Sequence, residues 1–232
     1  DNSVGTINPA SLTIGDGAGT NRVVLDLASA SSTLNLSGTI LTVNNDADLV
    51  FGNAGVTSYT KSNTTYSSGS IAEFRGHDVE SDSYSTLKVN NSSSLDADGI
   101  INVFGDFEKN GAGSLAITGT LNFSGTTFTM NGAGLIDNSQ GTVVFNGSSA
   151  QNIANGSGSL TLHDLTINNI NHVTLNDPVT INGQLTMTNG NLLTTTVNIP
   201  TLLTGATATS GSQSSYIDGP VNLQTNSTTE KA

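Results

Sequence analysis

What most limits the fold of this chain is the shape of its apolar runs, which are two to four residues long, alternate with Thr and never lengthen. Leu34 and Leu36, Ile40-Leu41-Thr42-Val43 and Leu49-Val50-Phe51 are followed by Leu115-Ala116-Ile117, Leu121-Asn122-Phe123 and Val143-Val144-Phe145. Leu160-Thr161-Leu162, Leu165-Thr166-Ile167, Val173-Thr174-Leu175, Val179-Thr180-Ile181 and Leu185-Thr186-Met187 carry the pattern on. Apolar residues at i and i+2 turn one face of an extended strand inward, and the β-branched Thr between them faces water. Gly or Asn interrupts nearly every candidate before a 3.6-residue stripe develops, so helix content is expected to be close to nil.

The runs recur. Strand starts placed at Leu12, Leu34, Leu87, Leu115, Val143, Leu160 and Val179 lie 22, 53, 28, 28, 17 and 19 residues apart, and 53 counts as two periods. A repeat of roughly 20–28 residues with two or three tiny strands is what a solenoid coil needs. One coil cannot bury its apolar face alone, so neighbours stack and share a core. The expected fold is therefore all-β, a right-handed parallel β-helix of about 10 coils and about 50 Å. The alternative is a β-sandwich array, which also has short strands at close intervals. The chain lacks the Trp and Cys that pin many sandwich cores, and its 28 asparagines favour left-handed corners and stacked amide ladders.

Composition narrows the partners. Six basic residues stand against 18 acidic ones, for a net charge of −12, and the basic ones are scattered singly. Phosphate recognition needs clustered Lys and Arg, so neither nucleic acid nor an anionic membrane is an expected partner. No apolar run approaches the ~20 residues of a spanning helix, so no membrane insertion is expected. Without cysteine there is no disulfide, thiolate metal site or thiol nucleophile. Asp1 opens directly into turn-rich sequence and Thr228 to Ala232 mark no boundary, so residues 1–232 read as a single β-helix segment excised from a longer protein.

Residues 56–84 break the rhythm. They hold Tyr59, Tyr66 and Tyr84, three of the four tyrosines, and the densest charge cluster, which includes Glu73, Arg75, His77 and Asp78. An irregular excursion from one face of a solenoid is a natural contact site. Tyr rings stack on sugar rings, while carboxylates and guanidinium groups hydrogen-bond hydroxyls. These seven residues are the candidate ligand-binding set.

The segment from Gly141-Thr142-Val143-Val144-Phe145-Asn146-Gly147 through Ala150-Gln151-Asn152-Ile153, Val179-Thr180-Ile181-Asn182-Gly183 and Leu185-Thr186-Met187-Thr188-Asn189-Gly190 ends in Ser214-Ser215-Tyr216-Ile217-Asp218-Gly219-Pro220-Val221. It resembles the β-helical repeat region of very large surface adhesins exported through the type IX secretion system. The resemblance covers about a third of the chain strongly. It implies a non-catalytic, extracellular structural or adhesive display module at a bacterial cell surface. The implied partners are glycans, surface proteins and further domains of its own chain. After Gly219-Pro220-Val221 the family pattern leads one to expect a basic pair, and Asn222-Leu223 stand there instead.

Because many β-helices process polysaccharides, that activity is the main alternative function. Asp46/Asp48 and Asp96/Asp98 are i, i+2 acidic pairs able to offer carboxylates to structural calcium, although a turn rich in Asp, Asn and Gly is the favoured reading. No cofactor is expected. Gly76-His77-Asp78 lacks the companion acidic motifs of a β-helical hydrolase, and His163 and His172 have no ligand cluster around them. An ice-binding solenoid is a minor alternative, resting on Thr-x-Thr pairs such as Thr127/Thr129 and Thr186/Thr188.

Overall fold

The computed structural model describes residues 11–16, 23–27, 34–44, 47–51, 59–66, 70–74, 79, 82–90, 95–97, 99–112, 114–131, 135–137, 140–156 and 159–225. Among these residues there are strands and turns but no helix. The opening part holds β1 (Ser11–Ile14), β2 (Val23–Leu27), β3 (Leu34–Val43), β4 (Ala47–Phe51), β5 (Tyr59–Tyr66) and β6 (Ile71–Phe74). Coils of three strands follow: β7 (Ser83–Tyr84), β8 (Thr86–Asn90) and β9 (Leu95–Ala97), then β10 (Ile100–Val103), β11 (Phe107–Asn110) and β12 (Leu115–Ile117). Next are β13 (Thr120–Phe123), β14 (Thr127–Met130), β15 (Leu135–Asp137), β16 (Thr142–Phe145), β17 (Gln151–Asn155) and β18 (Ser159–Leu162). The last nine are β19 (Asp164–Asn168), β20 (Val173–Leu175), β21 (Val179–Ile181), β22 (Gln184–Asn189), β23 (Leu192–Leu193), β24 (Pro200–Leu202), β25 (Thr207–Ala208), β26 (Ile217–Asp218) and β27 (Asn222–Leu223).

Every ladder between these strands is parallel, and each strand pairs with its counterpart one coil away. A long sheet of ten strands runs from β2 to β26. A leading sheet of seven strands runs from β7 to β25, a trailing sheet of seven from β9 to β27, and a short sheet joins β1, β3 and β5. The protein is a β-solenoid with seven complete three-stranded coils. The expected ten rungs occur in the long sheet alone.

Register corrects the expected phase of the repeat. Ile101, Leu121, Val143, Leu165 and Leu185 stack on one another, in steps of 20, 22, 22 and 20 residues. Leu87, Leu115 and Val143, taken as equivalent starts, stand on the long, trailing and leading sheets respectively. Leu160 and Val179 are true equivalents.

Alternation makes the core. In β13 the pattern Thr120, Leu121, Asn122, Phe123 puts Leu121 and Phe123 fully inside and leaves the other two at the surface. Aromatic rings fill the middle of the lumen. Phe107 and Phe128, in register on adjacent coils, stack at 4.3 Å and 12°, and Phe123 meets Phe145 edge-on at 5.4 Å. Such pairs add roughly 0.5–1.5 kcal/mol beyond burial. One inward position carries a charge. Lys109 lies between Val89 and Met130 in the same column, is completely buried, and donates from Nζ to the Asn110 carbonyl at 2.8 Å. Burial pushes its amine below the usual lysine range.

Corners explain the glycines. Between the trailing and leading sheets, Gly119 lies on Gly99, and Thr120 donates its N–H to the Gly99 carbonyl at 2.7 Å. Any Cβ at Gly119 would run into that carbonyl oxygen. Gly125 lies on Gly105 in the same way at the next corner. Deeper in that corner, buried Gln151 closes four hydrogen bonds. Its amide nitrogen donates to the Phe123 and Gly125 carbonyls at 2.9 and 2.8 Å, and its oxygen accepts from the Gly147 N–H and the Asn169 amide at 3.0 and 2.9 Å. With all its polar capacity satisfied, its burial carries no orphan-group penalty.

Candidate contact surface

Within residues 56–84, the expected excursion, the described strands keep their places in the stack. β5 lies on β3, β6 lies between β4 and β8, and β7 begins the leading sheet. The alternation that sorts the core also sorts the candidate residues.

Tyr84 falls on an inward position. It pairs with Val103 in register, is completely buried, and meets the Phe74 ring edge-on at 5.8 Å. It is a core residue and does not face a ligand, contrary to expectation. The charge-rich flank obscured this; what places Tyr84 inside is its register with buried Val103.

Glu73 does face outward, where it heads a polar ladder along the outer surface of the long sheet. Glu73, Lys88 and Glu108 are consecutive in register. Asn90 donates to Glu73 Oε1 at 2.7 Å, and Asn110 donates to Asn90 Oδ1 at 2.5 Å and to Glu108 Oε1 at 2.9 Å. Asn131 reaches Glu108 Oε1 at 3.3 Å, and Lys88 Nζ stands 3.1 Å from Glu108 Oε2. Partial burial works to raise the Glu108 carboxyl. Hydrogen bonds from Asn110 and Lys88, the Lys88 charge and the Asn131 contact outweigh it and hold the group below its ordinary value of 4.5.

Tyr59 and Tyr66 stand at the two ends of β5, opposite Leu34 and Val43. Their side chains lie outside what the structure describes, as do Arg75, His77 and Asp78 altogether. Asp46 and Asp98 are likewise outside the described residues, whereas Asp48 sits in β4 and the Asp96 backbone in β9. Among the described residues no group of three or more His, Asp and Glu is placed to hold a metal ion. His163 Nδ1 lies 3.0 Å from Asp164 Oδ1, which also accepts the Gln184 N–H at 2.7 Å. His172 accepts the Asn191 N–H on Nδ1 at 3.0 Å.

Chemically, the ladder holds charge in place. A glycosidase acid must keep a proton, which calls for a raised carboxyl pKa; Glu108 is shifted the other way. The Thr-x-Thr pairs are dispersed, with Thr127/Thr129 in the long sheet and Thr186/Thr188 in the leading sheet. Sequence reasoning missed Lys109; it anticipated stacked amides but not which asparagines form them. The signal for Lys109 was parity: it stands two residues after inward Phe107. Comparison with protein-family models, curated proteins and solved structures gives no match.

Proposed function

We propose that the chain is a non-catalytic structural and adhesive display module of a bacterial surface protein, working outside the cell. On this reading the solenoid is mainly a spacer, of the kind the type IX adhesin resemblance implies. It would carry further domains of its own chain and meet glycans or surface proteins. The observation that carries the reading is where the outward amides direct their hydrogen bonds. Asn110 bonds Asn90, Asn122 bonds Asn102 at 3.0 Å, and Asn189 bonds Asn168 at 2.6 Å. Each of these three asparagines is thus engaged with the coil beneath it, and the face is organised to hold the rod together. Tyr84 packing on Phe74 supports the spacer emphasis in the same way.

The test is an array of glycans and host-surface proteins probed with the parent and with Tyr59→Ala/Tyr66→Ala. The expected result is weak binding that disappears in the double variant, or none to any target. Tight binding that survives both substitutions removes β5 as the adhesive element. Release of reducing ends or unsaturated products from pectin, alginate or chitin overturns the non-catalytic reading.

A further inference from the structure

One backbone N–H between coils is satisfied by a ring nitrogen. Asn191, at the corner between β22 and β23, is only 8% exposed, and its carbonyl accepts the Val173 N–H from the coil below at 2.9 Å. A regular parallel ladder sends the N–H of such a residue to the carbonyl two positions before Val173, that of Asn171. It goes instead to Nδ1 of His172, at 3.0 Å. The backbone explains the exchange. His172 stands at φ 71°, and among the described residues only Gln140 is another non-glycine with a left-handed backbone. That turn interrupts the ladder where the Asn191 N–H arrives, and the imidazole supplies the acceptor. The rest of His172 is tied down: its N–H donates to the Asn169 carbonyl at 2.9 Å, and its carbonyl accepts the Gln151 N–H at 3.1 Å.

We propose that His172 is a proton-sensitive clip between the coil of β19–β21 and the coil of β22–β24. An imidazole nitrogen accepts a hydrogen bond only while it carries no proton, so this bond requires the neutral ring with its hydrogen on Nε2. The imidazolium has a hydrogen on both nitrogens. Protonation therefore turns Nδ1 from acceptor into donor, sets two N–H groups against each other, and leaves the buried Asn191 N–H without a partner. The ring lies on an exposed corner, so the proton comes directly from solvent. The bond is present with the neutral ring and lost as pH falls through the range in which imidazoles take up a proton, about 8 to 5. Of the elements packed around the clip, β17, β20, β22 and β23 carry no titratable side chain. Asp164 stands at the far end of β19 and accepts the Gln184 N–H, Asp218 is exposed in β26, and Tyr216 donates its N–H to Asn191 Oδ1 from the coil above. The clip does not depend on what the module displays.

NMR spectroscopy of the full chain tests the proposal at the two groups concerned. At about pH 8 the His172 ring is expected as the Nε2–H tautomer, with the Asn191 amide protected from hydrogen exchange. Once the spectrum of the ring shows both nitrogens protonated, protection at Asn191, corrected for the intrinsic exchange rate, should fall by about tenfold, the scale of one lost buried hydrogen bond. The Phe123 amide, three coils away, should keep its protection. His172→Asn tolerates the left-handed backbone and does not titrate, so its Asn191 protection should be the same at both ends of the range. His172→Gly serves if that variant unfolds. An Nδ1–H tautomer at about pH 8, or a ring still neutral at about pH 5, overturns the proposal. So does unchanged Asn191 protection with the ring protonated. An equal acid-side loss in His172→Asn also overturns it, because the proton then acts at another group, such as His163.

Discussion

The opening strands and the coils that follow use the same alternation but wind differently. In the later coils the trailing strand stops and the leading strand begins after a short gap, of two residues from Ala97 to Ile100 and from Ile117 to Thr120. In the opening part β3 and β5 run on as single strands of ten and eight residues, with a register break between Leu36 and Ile40. β5 contains no glycine. β3 contains Gly38, but its partner strand offers Ser62 and no glycine at the break. Later corners have glycine on glycine, Gly119 over Gly99 and Gly125 over Gly105, so that one backbone can rest on the carbonyl below. Where glycines stack, the strands separate at a tight corner; β3 and β5, which have no such pair, run on.

The largest effect expected in the regular coils comes from their aromatic column. Phe128→Ala should lower stability by about 4 kcal/mol, since it opens a cavity among Phe107, Phe123 and Phe145. Phe104→Ala, at a 42% exposed corner, should change it by under about 0.5 kcal/mol in the same urea titration. Equal losses would mean that the coils do not share one packed core.

Next come the corners. Gly119→Ala should cost on the order of 3 kcal/mol, because the colliding atoms are backbone and cannot swing aside. Gly211→Ala, where the nearest atom is 3.5 Å away and no left-handed backbone is required, should be nearly neutral by thermal melting. A neutral Gly119→Ala would undo the account of why the opening strands stay continuous.

How far the sequence leads is clearest at these sites. The parity of Leu121, Phe123, Val143 and Phe145 is plain in the letters, and so is the absence of helices. The phase of the repeat is not, because alternation looks identical on all three sheets and corner lengths vary from coil to coil. Tyr84 and Lys109 show the cost of reading chemistry ahead of parity. Their side chains suggest a surface, whereas Lys109's place two residues after Phe107 and Tyr84's register with Val103 put them inside. For Tyr59, Tyr66, Arg75, His77 and Asp78 the sequence remains the whole of the argument.

Lys109→Met should stabilise the protein by about 1–2 kcal/mol at neutral pH, because a lone buried amine gives way to a side chain that suits its column. The folded state binds the lysine proton less tightly than the unfolded state. The parent should therefore gain stability as pH rises from the folded pKa towards 10.5, and its gap to the variant should close. A gap independent of pH would show that the amine is not desolvated.

Smallest is the outer ladder. Asn122→Ala should cost roughly 0.5–1 kcal/mol for one interstrand amide bond. Glu108 has a lowered carboxyl pKa, so its contribution is present above 4.5 and fades as pH falls through the folded value. In Glu108→Gln that acid-side loss should be absent from melting curves taken across the same range.

The parallel ladders also decide how the rod answers force. Hydrogen bonds between coils lie along the axis while the chain itself winds across it, so tension on the two ends is borne by one coil contact after another. An end coil peels off before the next is loaded. Each that leaves shortens the rod by about 4.8 Å and frees around 20 residues, which extend to roughly 65 Å. Under load such a tether lengthens stepwise and spends work at every step, and the coils still wound keep the fold on which the next one can close again.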